Sequence, residues 1–474
     1  NNAGGGTGPC CDQASREGKR EGMTCTNGSN FPGGNQSSEK VRELQDKLYV
    51  TAKRQPGRRF PALLDRIYRS DILREAWERV RRNRGAAGVD GITLADVEAY
   101  GVERMLSELR RDLQKGKYRP QAVLRRYIPK ADGKKRPLGI PTVRDRVAQA
   151  AVKIVLEPIY EAGFKDSSYG FRPGRQAVMA MEKIRTLANK GYNHVLDADI
   201  KDYFGSIDQE MLMKLVRRRV SDRRVLKLLR GWLKAGVMEN GLRLETITGT
   251  PQGGVISPLL SNIYLDYLDT VWERQCAKVG VLIRYADDFV VMCEGPEQVQ
   301  EAERRVGLIF ERLKLTLHPE KTRKVDLSWG REGFNFLGWY LRKCMSGRLK
   351  EQGKVRYFLH RWPSVRSMNR VRQKVKDLTG SNRNGVKDVR VLIDDLNPVL
   401  RGWGNYFRTG NSATKFGLVD KHVEKRLRKF LIRRQGRNLR AGQVTGWTGD
   451  WLKTVGLHQL RGTIRYPGVV HAVA

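Results

Sequence analysis

Residues 284–291 read Arg284-Tyr285-Ala286-Asp287-Asp288-Phe289-Val290-Val291, two acidic residues between two apolar, β-prone halves. Such a segment predicts a hairpin whose arms are buried and whose turn presents carboxylates. Burying unpaired anions in a sheet is costly unless a cation sits on them. A related stretch lies upstream: Val195-Leu196-Asp197-Ala198-Asp199-Ile200, followed by Lys201-Asp202-Tyr203-Phe204. Period-two alternation puts Asp197 and Asp199 on one strand face, and one of the two is expected at a metal site. Carboxylates from separate strands can bridge two Mg²⁺ ions about 3.5–4 Å apart, clamping both attacking and leaving oxygens in phosphoryl transfer. Taken alone, Asp287-Asp288 reads equally well as a solvated acidic turn.

Around these strands the pattern is mostly helical. Leu44 and Leu48, then Phe60, Leu63, Leu64 and Ile67, then Ile72, Leu73 and Trp77 recur at helix spacings, and a further helix is expected over Val102–Gln114. An Asp132-Gly133 pair between alternating segments predicts a β-hairpin. Short strands are expected at 195–200, at 282–292 broken by a turn, and at 334–342. Strands separated by long helical insertions point to an α+β fold, not a repeated βαβ sheet. Amphipathic helices are expected near 365–378, 389–403 and 422–434. The first forty residues hold no Leu, Ile or Val and read as a disordered tail, residues 1–38. Cys10, Cys11 and Cys25 lie there, as free thiols or, less simply, a zinc site.

Charge narrows the function. Ninety Lys and Arg against 51 Asp and Glu give +39 over 474 residues. A polyanionic partner is the simplest reason to keep such self-repulsion. Residues 341–474 carry 30 Lys and Arg against 8 Asp and Glu, more than half of the excess in little over a quarter of the chain. No apolar run approaches the roughly 20 residues of a bilayer span, so an integral membrane helix is not expected. Six scattered Cys do not make a disulfide framework, which suggests a reducing compartment.

Taken together, these segments resemble a known family, the group II intron-encoded reverse transcriptases of the maturase type. Tyr285-Ala286-Asp287-Asp288 is similar to the polymerase palm hairpin, and the Asp199 segment to the first palm motif. Gly249-Thr250-Pro251-Gln252-Gly253-Gly254-Val255-Ile256-Ser257-Pro258-Leu259-Leu260-Ser261-Asn262 resembles the family's most characteristic block. Ser168-Tyr169-Gly170-Phe171-Arg172-Pro173, residues 137–146 and Phe336-Leu337-Gly338 also match. Residues 83–91 are similar to the extra N-terminal motif of non-retroviral enzymes, and 396–408 to the maturase signature. The likeness runs from about residue 80 to 410.

The resemblance implies a right-hand polymerase followed by a basic, mainly helical maturase domain. Fingers and palm would occupy 39–345, a helical thumb 346–388, and the maturase domain 389–474. It implies RNA-directed DNA synthesis on dNTP substrates with two Mg²⁺ held by Asp199 and Asp287. Asp288 would assist directly or orient a ligand. Lys130 and Arg136, on facing arms of the Asp132-Gly133 hairpin, would clamp the triphosphate, unless they form a solvated basic turn. Gln252 would pack against the incoming sugar. Phe204 would be a steric gate against a ribose 2′-OH, although a Phe after a strand is more often core. Gly205 departs from the family, whose members usually carry Asp there.

Implied partners are the intron RNA, as template and as structured ligand in splicing, and a DNA target or primer. A homodimer is left open, no membrane is expected, and the setting would be the bacterial cytoplasm at the nucleoid. The basic runs, with Arg401, Lys425, Arg426, Arg428, Lys429, Arg433 and Arg434, are candidates for RNA phosphates or simply a solvated face. Trp403, Tyr406, Phe407, Trp447 and Trp451 could stack on bases, but Trp403 and Phe407 at i, i+4 are expected to pack inward. No paired Cys or His motif of an HNH-type endonuclease follows residue 400, so a mobile form would need a pre-existing DNA end. Two other readings are a splicing factor without polymerase activity, and a reverse transcriptase recruited to phage defence, CRISPR adaptation or DNA repair.

Overall fold

The computed structural model describes residues 36–129, 135–239, 242–244, 249, 253–380, 383, 385–436 and 442–466. Nearly all of the expected tail, including Cys10, Cys11 and Cys25, lies outside these residues, as do Lys130, the Asp132-Gly133 turn and Gln252. The helix Gln36–Arg54 begins just inside the span assigned to the tail.

Eleven strands form three sheets among the described residues. The hairpin β1 (Val123–Pro129) and β2 (Lys135–Ile140) is followed in chain order by β3 (His194–Ala198), β4 (Val237–Glu239), β5 (Leu242–Leu244), β6 (Val281–Tyr285), β7 (Asp288–Cys293) and β8 (Arg323–Asp326). The last three are β9 (Gly333–Phe336), β10 (Trp339–Met345) and β11 (Tyr357–Pro363). The sheets run β2-β1-β4-β5, β6-β7-β3-β8 and β11-β10-β9. Only β1 with β4 is parallel. This is the expected α+β arrangement.

The central sheet β6-β7-β3-β8 shows how the sequence builds the molecule. Its side chains alternate between two cores, as a pleated strand requires. Leu196, Leu282, Phe289 and Val291 enter one core with the helices Ser257–Val271 and Pro296–Leu313. Val195, Ile283, Val290 and Met292 enter the other. That second core passes from the helix Ala177–Asn189 through Trp339, Leu341 and Leu359 of the third sheet into three C-terminal helices. These are the connecting helix Val365–Leu378, the first C-terminal helix Val389–Phe407 and the long C-terminal helix Ala413–Gln435.

One strand expectation needs correction. Residues 334–342 are not one strand but the two arms of the β9–β10 hairpin. Leu337 at φ +50° and Gly338 at φ +81° turn the chain between them. β10 then pairs with β11 from Trp339–Pro363 to Met345–Tyr357, so this sheet continues across residue 345.

Candidate active site

The Tyr285–Asp288 segment is a tight hairpin: Tyr285 pairs with Asp288, and Ala286-Asp287 form the loop. Ala286 adopts φ +59°, a conformation that Gly adopts most readily in such turns. What holds it there is Arg284, which has no exposed surface. Its guanidinium donates to the Ala286 carbonyl (2.8 Å), to Ser168 Oγ (2.8 Å) and to Asn262 Oδ1 (3.2 Å), and is ion-paired with buried Asp269. Asn262 Nδ2 in turn donates to the Gly170 carbonyl (2.8 Å). A Cβ at Gly170 would run into the backbone of Ala286, so glycine there lets the 168–173 loop lie against the turn.

β3 is the neighbour of β7, with Ala198 opposite Phe289. Continuing that register brings Asp199, just past the strand end, across from Asp288. Asp197, Asp199, Asp287 and Asp288 all line one cleft of about 1900 Å³. The same cleft is lined by Arg366, Arg370, Gln373, Lys374 and Asp377 of the connecting helix and by Lys415, a mainly basic set. Arg136 of β2 and Phe204 line the same space. Tyr203 turns inward, donating to the Ser261 carbonyl (3.0 Å), which leaves half-buried Phe204 at the cleft wall.

The acids here are poorly neutralised. Asp199 Oδ2 meets Lys321 Nζ at 2.6 Å, and none of Asp197, Asp287 or Asp288 has an ion pair among the described residues. Burial, then the charges of Asp287 and Asp199, pushes the Asp288 carboxyl up to about 7, against the pull of Lys321 and Arg136. Asp288 is exposed at the start of β7, and the crowd of protein atoms behind it together with two neighbouring carboxylates disfavours its charge. Asp197 is likewise raised to about 7 by burial and by Asp288. Asp287 is raised by burial, with Asp199 adding to it. Carboxylates that resist ionisation for want of a counter-charge fit a divalent cation. Among the described residues no three Asp, Glu, His or Cys stand in a ready coordinating array; on Asp199 an ammonium takes the place a cation would have.

Sequence reasoning missed Lys321 and the Arg284 network, and reserved one site position for Asp197 and Asp199 although both line the cleft. Arg284 adjoins the acidic box, but its partners are scattered from 168 to 269 without local periodicity.

The basic candidates of the C-terminal region divide. Arg401, Lys425, Lys429, Arg433 and Arg434 are exposed, but only the first three lack a hydrogen-bonded partner among the described residues. The others have partners inside the protein. Arg426 donates to Thr379 Oγ1 (3.0 Å) and to the Thr379 carbonyl (2.9 Å), closing the end of the connecting helix. Arg428 pairs with Glu424 (2.7 Å) and donates to the Trp447 carbonyl. Arg433 reaches Thr379, and Arg434 the Val386 carbonyl (3.0 Å). Helical spacing explains the division, since Lys425 and Lys429 share one side while Arg426 and Arg433 share another. Trp403 and Phe407 pack together at 4.9 Å, as expected, and Trp447 is buried. No helix among the described residues is long and apolar enough to cross a membrane.

The chain is similar to several known proteins. Residues 128–341 match the model of the reverse transcriptase (RNA-dependent DNA polymerase) family, and 368–445 that of the group II intron maturase-specific domain. Protein YkfC of Escherichia coli K12 is 37% identical over 337 residues, which span 63% of this chain and 87% of YkfC. The group II intron-encoded protein LtrA of Lactococcus lactis subsp. cremoris is 32% identical over 360 residues, 63% of this chain but 59% of LtrA. Among solved structures, a chain of a partial Cas6-RT-Cas1–Cas2 complex aligns at 25% identity and TM-score 0.33, covering 52% of this chain and 42% of its own. With both domain models matched in order and YkfC covered almost throughout, the chain belongs to the group II intron-encoded reverse transcriptases that carry a maturase domain.

Proposed function

We propose that this reverse transcriptase extends a DNA primer on RNA by a two-metal mechanism centred on Asp199, Asp287 and Asp288. We further propose that its C-terminal helices grip structured intron RNA. The observation that carries the catalytic reading is the group of under-neutralised carboxylates in a large cleft that several Arg and Lys side chains also line. When bound there, two Mg²⁺ ions would neutralise the acids and supply Lewis-acid stabilisation for phosphoryl transfer.

The chain's own residues do the rest by positioning. Arg284 keeps the acidic turn in its constrained shape, so that Asp287 and Asp288 stay aimed at the cleft. Arg136 offers a guanidinium suited to triphosphate oxygens, and Lys130 and Gln252 are assigned beside it from the motifs alone. Phe204 lines the same cleft as Asp199, which supports a role for its ring as a gate against a 2′-hydroxyl. The connecting helix, with Arg366, Arg370 and Lys374, supplies a wall for the sugar-phosphate backbone. Intron RNA as template and folded ligand, a DNA primer and a cytoplasmic setting at the bacterial nucleoid follow from the same reading.

Asp287→Asn decides the catalytic part. Primer extension on an RNA template should fall by at least about a thousandfold, on the scale of lost transition-state electrostatics. Melting temperature and RNA affinity should stay at wild-type values. Extension near the normal rate would remove the assignment.

A further inference from the structure

The third sheet has two unlike faces. Strand alternation turns Tyr340 and Trp362 to the face that lines the main cleft, and Leu341 and Leu359 to the face that enters the core. Met345 and Tyr357, opposite each other at the far end of β10 and β11, lie on the core side but beyond the core itself, and Met345 is 38% exposed. Trp329, in the turn between β8 and β9, meets Tyr357 edge to face with ring centroids 6.2 Å apart. It is 67% exposed, although folding usually buries most of a Trp.

The turn that carries Trp329 is braced. The Leu327 amide donates to the Asn193 carbonyl (2.9 Å), the Ser328 amide to Asp326 Oδ1 (2.8 Å) and the Asp326 amide to Glu332 Oε2 (2.9 Å). A Cβ at Gly330 would run into the Lys343 carbonyl, so glycine lets the turn lie on β10. A ligand meeting this indole therefore has little left to order. Arg331 follows in the same turn, Arg356 precedes Tyr357, and Arg348, Lys350 and Lys354 lie in the connection from β10 to β11. All five are exposed, and none of their side chains has a hydrogen-bonded or ionic partner among the described residues. Of the acids in these segments, Asp326 and Glu332 already accept backbone amides, which leaves Glu351.

An exposed, fixed ring among unpaired cations suits a ligand with a flat face and a negative backbone. The apolar part, Trp329 with Met345, is too small for the core of a protein interface, so charge chooses the partner. We infer that Trp329 stacks on an unpaired base of bound RNA, whose neighbouring phosphates face Arg331, Arg348 and Arg356. The inference rests on the proposal that this chain holds structured RNA. It adds a contact outside the C-terminal helices, on the face of the third sheet turned away from the cleft. RNA held there and a primer–template in the cleft can be bound together.

The test uses the full chain and a short, fluorescent, unpaired RNA carrying iodouridine, which cross-links on irradiation to an aromatic ring stacked on it. Peptide mass mapping should find the cross-link on Trp329, and excess blunt RNA–DNA hybrid, filling the cleft, should not remove it. Trp329→Ala should weaken binding of the unpaired RNA, read by anisotropy, by about fivefold or more, the scale of one stacked base. Blunt RNA duplex should bind as before, and Trp329→Phe should restore most of the loss. Replacing Arg348 and Arg356 by Gln should lower the salt slope by about 0.7 for each phosphate no longer neutralised.

No cross-link at Trp329 from RNA that the wild type binds overturns this inference alone. So does a Trp329→Ala loss of equal size on unpaired and duplex RNA, which would mark the ring as structural. A cross-link that the hybrid displaces overturns it too, by giving the ring to the cleft's own nucleic acid. If the wild type binds no RNA, the reading of the C-terminal helices fails first and this one falls with it.

Discussion

At the scale of single residues, the acids of the cleft make the metal-free protein sensitive to pH. Asp197 and Asp288 hold their protons up to about 7, because burial and neighbouring negative charge disfavour ionisation. Between the ordinary carboxylate range and that value the folded chain binds more protons than the unfolded one. Stability contributed at these positions therefore falls as pH rises through the window. In EDTA, Asp197→Asn should raise Tm by about 1 °C at pH 8, roughly 1 kcal/mol for a chain of this length, and leave it unchanged at pH 4. A scanning-fluorimetry shift of equal size at both pH values would contradict the cause. Arg284 predicts the opposite behaviour. Arg284→Met leaves Asp269 buried and unpaired, and should cost about 3–5 kcal/mol in chemical denaturation. Adding Asp269→Leu should restore much of that stability but not the extension rate, since the Ala286 carbonyl still lacks its donor. Recovery of both would reduce Arg284 to a packing residue. Phe204→Ala should admit ribonucleotides in single-nucleotide incorporation; unchanged sugar discrimination would remove the gate.

At the scale of elements, the legible features were those whose signal is local. Two apolar, β-prone halves around an acidic turn marked β6 and β7, and apolar spacing marked Val102–Gln114 and Val365–Leu378. The β9–β10 turn was missed although Gly338 was visible, because the apolar residues on both sides read as one run. β11 was missed because His360 and Arg361 interrupt its alternation; Arg361 is nevertheless buried against Glu182 (3.1 Å). The same blindness affects the basic helix, where a Lys facing solvent and an Arg closing another helix look alike in sequence. Arg426→Ala should therefore cost about 1–3 kcal/mol of stability, as a hydrogen-bonded charge removed from two acceptors does. Its RNA-binding salt slope should barely change. Lys425→Gln with Lys429→Gln should reverse the pattern, leaving stability alone and lowering the slope by about 0.7–0.9 for each phosphate left without its cation. Filter binding from low to moderate salt checks both arms.

At the scale of the whole molecule, the +39 charge pointed to a polyanion, and the order of motifs pointed to the family. Neither could say how the catalytic sheet and the C-terminal helices relate, because side-chain alternation shows that a strand has two faces but not what covers each. The structure answers with one continuous apolar body, from Val195, Ile283 and Val290 through Trp339 to Leu400, Phe416 and Leu460. The carboxylates hang from the strands whose far side supports the C-terminal helices. On the roles proposed above, heritable loss of DNA synthesis and loss of that support are separable at Asp287 but not at Val290. A lineage that abandoned copying would still have to keep the strands, as a foundation with its original workshop gone.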